Sequence, residues 1–291
     1  MYYGLILVTT LMSGVQIALV DLYRRLRGGS GWKISFQSSL IGSVFGLVLL
    51  SIMNGGVFEF TMFSFLLAAI SAVAAIGGTC VGLKALDKVN LSLYSMAMMI
   101  GGMVLPFVQG ILFYGEQVTA AKSICFLCIA IAMILTFEKG QKKGKLFYYI
   151  FIFILNGLNG VFQKIFVESP VQKTSEIGFM MLMLLCSIII ALALLVFLGP
   201  KEGEQLSCNS LEWKSVTCAA IGGSLYSISN YLLVIALAHV DSTIQYPMVS
   251  GGVMIVSTCL CYFTEKKPRK REWLAVFVAF AGMLALFMIR V

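Results

Sequence analysis

Charge-free runs tile almost the whole chain, at residues 1–20, 34–58, 60–83, 89–115, 123–137, 146–163, 177–200, 215–238, 242–264 and 273–289. A hydrocarbon layer of about 30 Å is crossed by about 20 apolar residues in helix. Within lipid only a helix or a closed barrel satisfies its own backbone, and runs this long and continuous are helical. The pattern predicts ten transmembrane helices in an all-α polytopic membrane protein. The links between runs are too short for a separate soluble domain, so the function has to lie within or between the helices.

Composition agrees with this reading. Charged residues make up 12% of the chain and hydrophobic residues 59%, with a mean hydropathy of +0.95. A soluble domain carries about 25% charged residues. The first run has no basic residue ahead of it and is followed by Arg24, Arg25 and Arg27, the reverse of a secretory leader, so a retained first helix is expected. Seven of the eight cysteines lie inside apolar runs, where thiols pack as small hydrophobes. Cys125 and Cys128 form a CxxC in mid-helix with no histidine nearby, and Cys208 is the one loop cysteine. No metal and no cofactor is expected.

The net charge of +8 resides in the inter-helix loops. Nucleic-acid binding would need a basic face on a folded domain, so the charge is read as a topology signal. Seventeen of the 21 Lys and Arg fall in odd-numbered loops; Lys122, Lys164, Lys173 and Arg290 are the remaining four. The positive-inside rule then makes the odd loops cytoplasmic and puts both termini outside a cell (inner) membrane.

The chain also repeats itself. Ala85-Leu86-Asp87-Lys88-Val89-Asn90 has a partner in Ala236-Leu237-Ala238-His239-Val240-Asp241, and each is followed by a span rich in Ser, Tyr and Gly. Gly101-Gly102 matches Gly251-Gly252, and Gly115-Glu116 matches Thr264-Glu265. The starts pair as Thr10-x-x-Ser13-Gly14 with Asn156-x-x-Asn159-Gly160. The period is about 150 residues, giving five-helix units over residues 1–140 and 141–291. Because five is odd, the second unit enters the membrane from the opposite side. Inverted repeats of this kind typify secondary transporters, whose sites lie between the two halves near the midplane.

On these motifs the chain resembles the drug/metabolite transporter superfamily, in its ten-helix EamA-like branch. The resemblance covers the whole chain and rests on Ala85-Leu86, Ala236-Leu237, Gly115-Glu116, Gly14 and Pro247. Departures are Ser13 where the branch often has Trp, Met96 at the fourth-helix proline position, Pro106 ten residues later, and the outward termini. The resemblance implies a central cavity lined by the first, third, fourth, sixth, eighth and ninth helices, with export as the direction.

Polar residues at helical spacing mark the same helices independently. Thr9, Ser13 and Gln16 share one face of the first helix, and Asn156, Asn159 and Gln163 share one of the sixth. Tyr226 and Asn230 stand four apart in the eighth, Tyr246 and Ser250 four apart in the ninth, and Tyr94 lies in the fourth with Ser92 and Ser95. The bland alternative for such residues is hydrogen bonding between helices. The glycine pairs at 42 and 46, 77, 78 and 82, and 251 and 252 read as close helix contacts. Lys84 and Lys164 end spans and are expected to snorkel to the headgroups.

No carboxylate falls near the middle of a run, which disfavours cationic substrates and a midplane proton switch. The candidate substrate-binding set is therefore Thr9, Ser13, Gln16, Tyr94, Asn156, Asn159, Gln163, Tyr226, Asn230, Tyr246 and Ser250. The expectation is a secondary transporter of small neutral or zwitterionic, amino-acid-like metabolites working by alternating access. Its partners are a small-molecule substrate and the lipid bilayer, with proton or counter-substrate coupling open. Phosphorylated or anionic substrates would need a midplane Lys or Arg, and a non-transporting accessory subunit would not need the inverted repeat. With one histidine, no HExxH and no GxSxG, an enzyme is not expected.

Overall fold

The computed structural model describes residues 2–29, 31–86, 91–136, 143–198, 212–262 and 267–288. Asp87, Lys88, Val89, Asn90, Cys208, Thr264, Glu265 and Arg290, used above, lie outside the described residues, as do the side chains of Ser92 and Met96.

Among the described residues the chain forms ten α-helices: α1 (Tyr2–Leu26), α2 (Trp32–Met53), α3 (Met62–Leu86), α4 (Leu91–Tyr114), α5 (Ala120–Thr136), α6 (Lys143–Glu168), α7 (Glu176–Leu198), α8 (Trp213–Leu237), α9 (Ser242–Cys261) and α10 (Lys270–Met288). Seven of them (α1, α2, α3, α6, α7, α8 and α9) are long and apolar enough to cross a membrane. At 1.5 Å per residue a 25-residue helix such as α3 is about 37 Å long, ample for the hydrocarbon layer. Large apolar side chains face outward all round, with Ile52 72% and Phe113 78% exposed, while Ser71, Ser95, Ser227 and Ser257 are fully buried. Contiguous exposed apolar surface on this scale is not tolerated in water. The chain is a multi-pass membrane protein.

Helix ends follow local chemistry. Asp21 pairs with Arg24 and Arg25 at i+3 and i+4, carrying α1 beyond its charge-free run, and the chain then turns at Gly28 in the left-handed region. Gly115, at φ 65°, does the same after α4. Only glycine adopts this conformation without strain, and the turn lets the Glu116 backbone N–H donate to Gly110 O at 3.1 Å.

The principal packing partners lie in opposite halves of the chain. α1 packs on α8 and α9, α2 on α7 and α8, α3 on α6 and α7, α4 on α6 and α9, and α5 on α10. Exchanging each helix with the one five places away leaves this set of pairings unchanged. The closest approaches pass through small residues, as expected where lipid offers no hydrophobic drive between helices. Gly42 of α2 meets Gly223 of α8, Gly101 of α4 meets the Phe153 backbone of α6, and Gly14 and Gly252 bring α1 and α9 together against Val256 and Thr10. α5 and α10 sit at the periphery on each other and on α9.

Candidate functional site

Short links make successive helices run in opposite directions, so the bundle has two ends. One gathers the C-terminal ends of α1, α3, α5 and α7 with the N-terminal ends of α2, α4, α6 and α8, the other the opposite ends of these helices. A cleft of about 130 Å³ runs from mid-bundle toward the first end, walled by α1, α2, α3, α4, α6, α7 and α8. It therefore differs from the expected wall in two ways. α2 and α7 line it through Ser38, Ser39, Gly42, Ser43, Leu184 and Ser187, and α9 does not line it. The reason is packing: α9 stands behind the wall, against α1 and α4.

Five of the eleven candidate residues, Gln16, Tyr94, Asn156, Asn159 and Tyr226, come together on this cleft. Asn156 Nδ2 donates to Met98 O at 2.6 Å, and Asn159 Nδ2 to Tyr226 Oη at 3.3 Å. Gln163 and Asn230 sit one layer deeper, joined by Gln163 Nε2 to Asn230 Oδ1 at 2.9 Å, and Asn230 Nδ2 donates in turn to Tyr226 O. The other four tie helices together away from the cleft. Ser13 and Ser229 share a hydrogen bond of 2.6 Å, Ser229 also donates to the carbonyl of buried Thr9, Tyr246 Oη donates to Gly160 O, and Ser250 Oγ to Met99 O.

The sequence reading overlooked Ser38, Ser39, Ser43, Thr79 and Ser187, which also line the cleft. Small hydroxyls are too common in membrane helices to stand out singly. Only the i, i+4 spacing of Ser39 with Ser43 could have flagged α2. Among the described residues no Asp, Glu, Lys, Arg or His lines the cleft.

At the second end the two halves are held together by charge. Lys164 is 2% exposed and does not snorkel; its Nζ lies 2.7 Å from Glu116 Oε1 and 2.7 Å from Glu168 Oε1. The Glu116 carboxylate also accepts from the Ser242 N–H at 3.0 Å, the Ser242 hydroxyl at 2.8 Å and the Thr243 N–H at 2.9 Å. It thus caps α9 from the other half of the chain, because Asp241 at the N-cap makes no side-chain cap of its own. Lys122 Nζ meets Asp241 Oδ2 at 2.9 Å, and Glu59 accepts from the backbone and hydroxyl of Ser175 just ahead of α7. At the first end the first half pairs Asp21 with Arg24 and Arg25, Arg27 with Gln37, and Lys84 with the Trp32 ring at 3.5 Å.

Burial pushes the Glu116 carboxyl up, but the Lys164 ammonium, the Thr243 N–H and the Ser242 hydroxyl more than reverse this and leave it at about 2 against the usual 4.5. The assembled end therefore holds this proton less tightly than a separated one. Its stabilisation is complete above pH about 4.5 and is lost as the pH falls through about 2. Melting temperature recorded by size exclusion should fall over that window, and Glu116→Gln should flatten the fall.

No protein-family model matches the chain, and no curated protein matches it. A solved structure described only as a crystal structure of a protein superposes with a TM-score of 0.65 at 14% identity, covering 95% of each chain. At that identity the likeness concerns the fold alone.

Proposed function

We propose that this chain is a secondary transporter of small neutral or zwitterionic metabolites, not an enzyme, and that it works by alternating access. The observation that carries the reading is one-sided access. A cleft that carries amides and hydroxyls in a largely apolar wall reaches one end, while charged ties join the halves across the other. A carrier must hold one end shut while the other is open, and the same two halves must be able to trade arrangements.

The halves in this reading are residues 1–140 and 141–291 as inverted five-helix repeats. The pairings that survive exchange of helices five places apart support it. So do the matched Gly115-Glu116 and Thr264-Glu265 and the remaining resemblance to EamA-like drug/metabolite transporters. With the odd loops cytoplasmic and both termini outside, in a cell (inner) membrane, the cleft faces the cytoplasm, the side from which an exporter loads.

Reconstitution into proteoliposomes with a panel of labelled metabolites tests this. At least one should be carried, and Asn156→Ala should lower its flux roughly fivefold, since a neutral hydrogen bond contributes about 1 ± 0.5 kcal/mol and a factor of ten corresponds to about 1.4 kcal/mol. A panel in which nothing is carried overturns the reading, as does a carried solute whose flux ignores both Asn156→Ala and Gln16→Ala.

A further inference from the structure

From the chemistry of the cleft wall, and resting on the transporter reading for its physiological sense, we infer that the ligand is an uncharged polyhydroxylated solute, a monosaccharide or a linear polyol, and not an amino acid. Among the described residues the wall supplies only side-chain amides, hydroxyls, one thiol and apolar groups. Among the described residues at that end, four cationic side chains are already engaged. Arg24 and Arg25 hold Asp21, Arg27 holds Gln37, and Lys84 lies on Trp32.

A carboxylate or ammonium drawn into such a wall gives up ionic hydration that dipoles alone do not replace, whereas a hydroxyl exchanges one hydrogen bond for another. A zwitterion needs both exchanges at once. The wall has neither counter-charge.

The wall also has hydrogen-bonding capacity that the protein leaves unfilled. Asn159 is 9% exposed, lines the cleft, and has Oδ1 buried without a partner. Its other amide atom meets Tyr226 Oη, and because a tyrosine hydroxyl both donates and accepts, reversing the amide would leave Nδ2 unfilled instead. Ser39 Oγ is a second buried atom without a partner on the same cleft. A buried polar group without a partner is costly. Amide and hydroxyl together call for a ligand that both donates and accepts at spaced positions, which is what vicinal hydroxyls do.

Leu19, Met98 and Leu155 face the C–H surfaces such a solute also carries, and the ring of Tyr226 gives it a flat apolar neighbour. Size agrees. At about 10–15 Å³ for each water-sized position, the cleft of about 130 Å³ holds roughly ten such positions, on the scale of a pentose, a hexose or a hexitol.

The test uses the full chain, purified and placed in nanodiscs. Ligand-induced shifts in melting are recorded for aldopentoses, aldohexoses, hexitols, inositol, neutral L-amino acids and a hexose phosphate, and the same panel is then offered in proteoliposomes. A saturable shift with at least one neutral polyhydroxyl compound, about tenfold weaker in Asn159→Leu, and none with amino acids or the phosphate, is the expected result. Asn159→Ser is run beside it, so that a folded variant is in hand if leucine is not accommodated.

Binding or flux confined to amino acids or to the phosphate overturns the inference and leaves the transporter reading standing. Polyol binding without flux upholds the inference and overturns the transporter reading. Silence across the neutral panel overturns the inference whatever else is carried.

Discussion

Gly223→Leu should abolish recovery of folded, monodisperse protein. Gly223 of α8 faces Gly42 of α2 so closely that a Cβ at position 223 would overlap the Gly42 backbone. The obstacle is main chain, which cannot rotate away as a side chain would. Four residues along each helix, a Cβ at Gly46 would meet the Ser227 side chain, so the crossing is tight over a full turn.

A leucine there has to separate α2 from α8 and with them two walls of the cleft, since Gly42 and Gly223 both line it. Overpacking usually costs about 1–3 kcal/mol and more where backbone must move; against a marginal total stability of about 5–15 kcal/mol this is a large share. The companion variant Gly78→Ala sits on the same cleft where an added Cβ meets nothing within 4 Å. It should express, and melt within a degree or two of the parent. Size-exclusion profiles after detergent extraction read both. Normal recovery of Gly223→Leu would mean that the α2–α8 crossing is looser than described.

Lys164→Met is the second substitution expected to act strongly. It leaves Glu116 and Glu168 without the cation that now lies between them, in a place where the Glu116 side chain is only 7% exposed. Removing one member of a buried pair costs about 3–5 kcal/mol, mostly for stranding the other charge. Replacing both members by neutral groups costs far less. Glu116→Gln combined with Lys164→Met should therefore melt well above Lys164→Met alone, because no charge is stranded and the glutamine oxygen still accepts from one of the two backbone N–H groups, of Ser242 and Thr243, that the carboxylate now takes on separate oxygens. Thermal denaturation of the four forms makes a double-mutant cycle, and simple additivity would show that the two side chains do not act together. If this end is also the closed gate of a carrier, Lys164→Met should reduce flux more than it reduces the amount of folded protein.

Much of this was legible from the residues. The absence of charge over ten stretches marked the helices, and the boundaries erred where charge is locally compensated. α1 continues six residues past its charge-free run because Asp21 sits i+3 and i+4 from Arg24 and Arg25. Stacked amides on α1 and α6 pointed to the cleft and found Gln16, Asn156 and Asn159.

The periodicity could not separate residues on the cleft from those one layer behind it, such as Gln163 and Ser250, because both kinds face the interior. Depth within the bundle is set by which helix comes next to which. That also explains α2 and α7, whose few serines looked unremarkable until packing brought Ser39 and Ser187 to the same wall. Lys164 was misread for a related reason. A lysine near a helix end reaches headgroups unless a carboxylate from a distant loop arrives first, and Glu116 arrives there because Gly115 turns the chain.

The partnering of nearly every helix with one from the opposite half bears on how the molecule comes into being. As the first five helices leave the ribosome they have few neighbours of their own to pack on, and their small-residue faces wait in lipid for synthesis to finish. α9 begins at a carboxylate made some 125 residues earlier. Each half thus lacks most of its packing partners until the other has been threaded, and the bundle is complete only with the final helices.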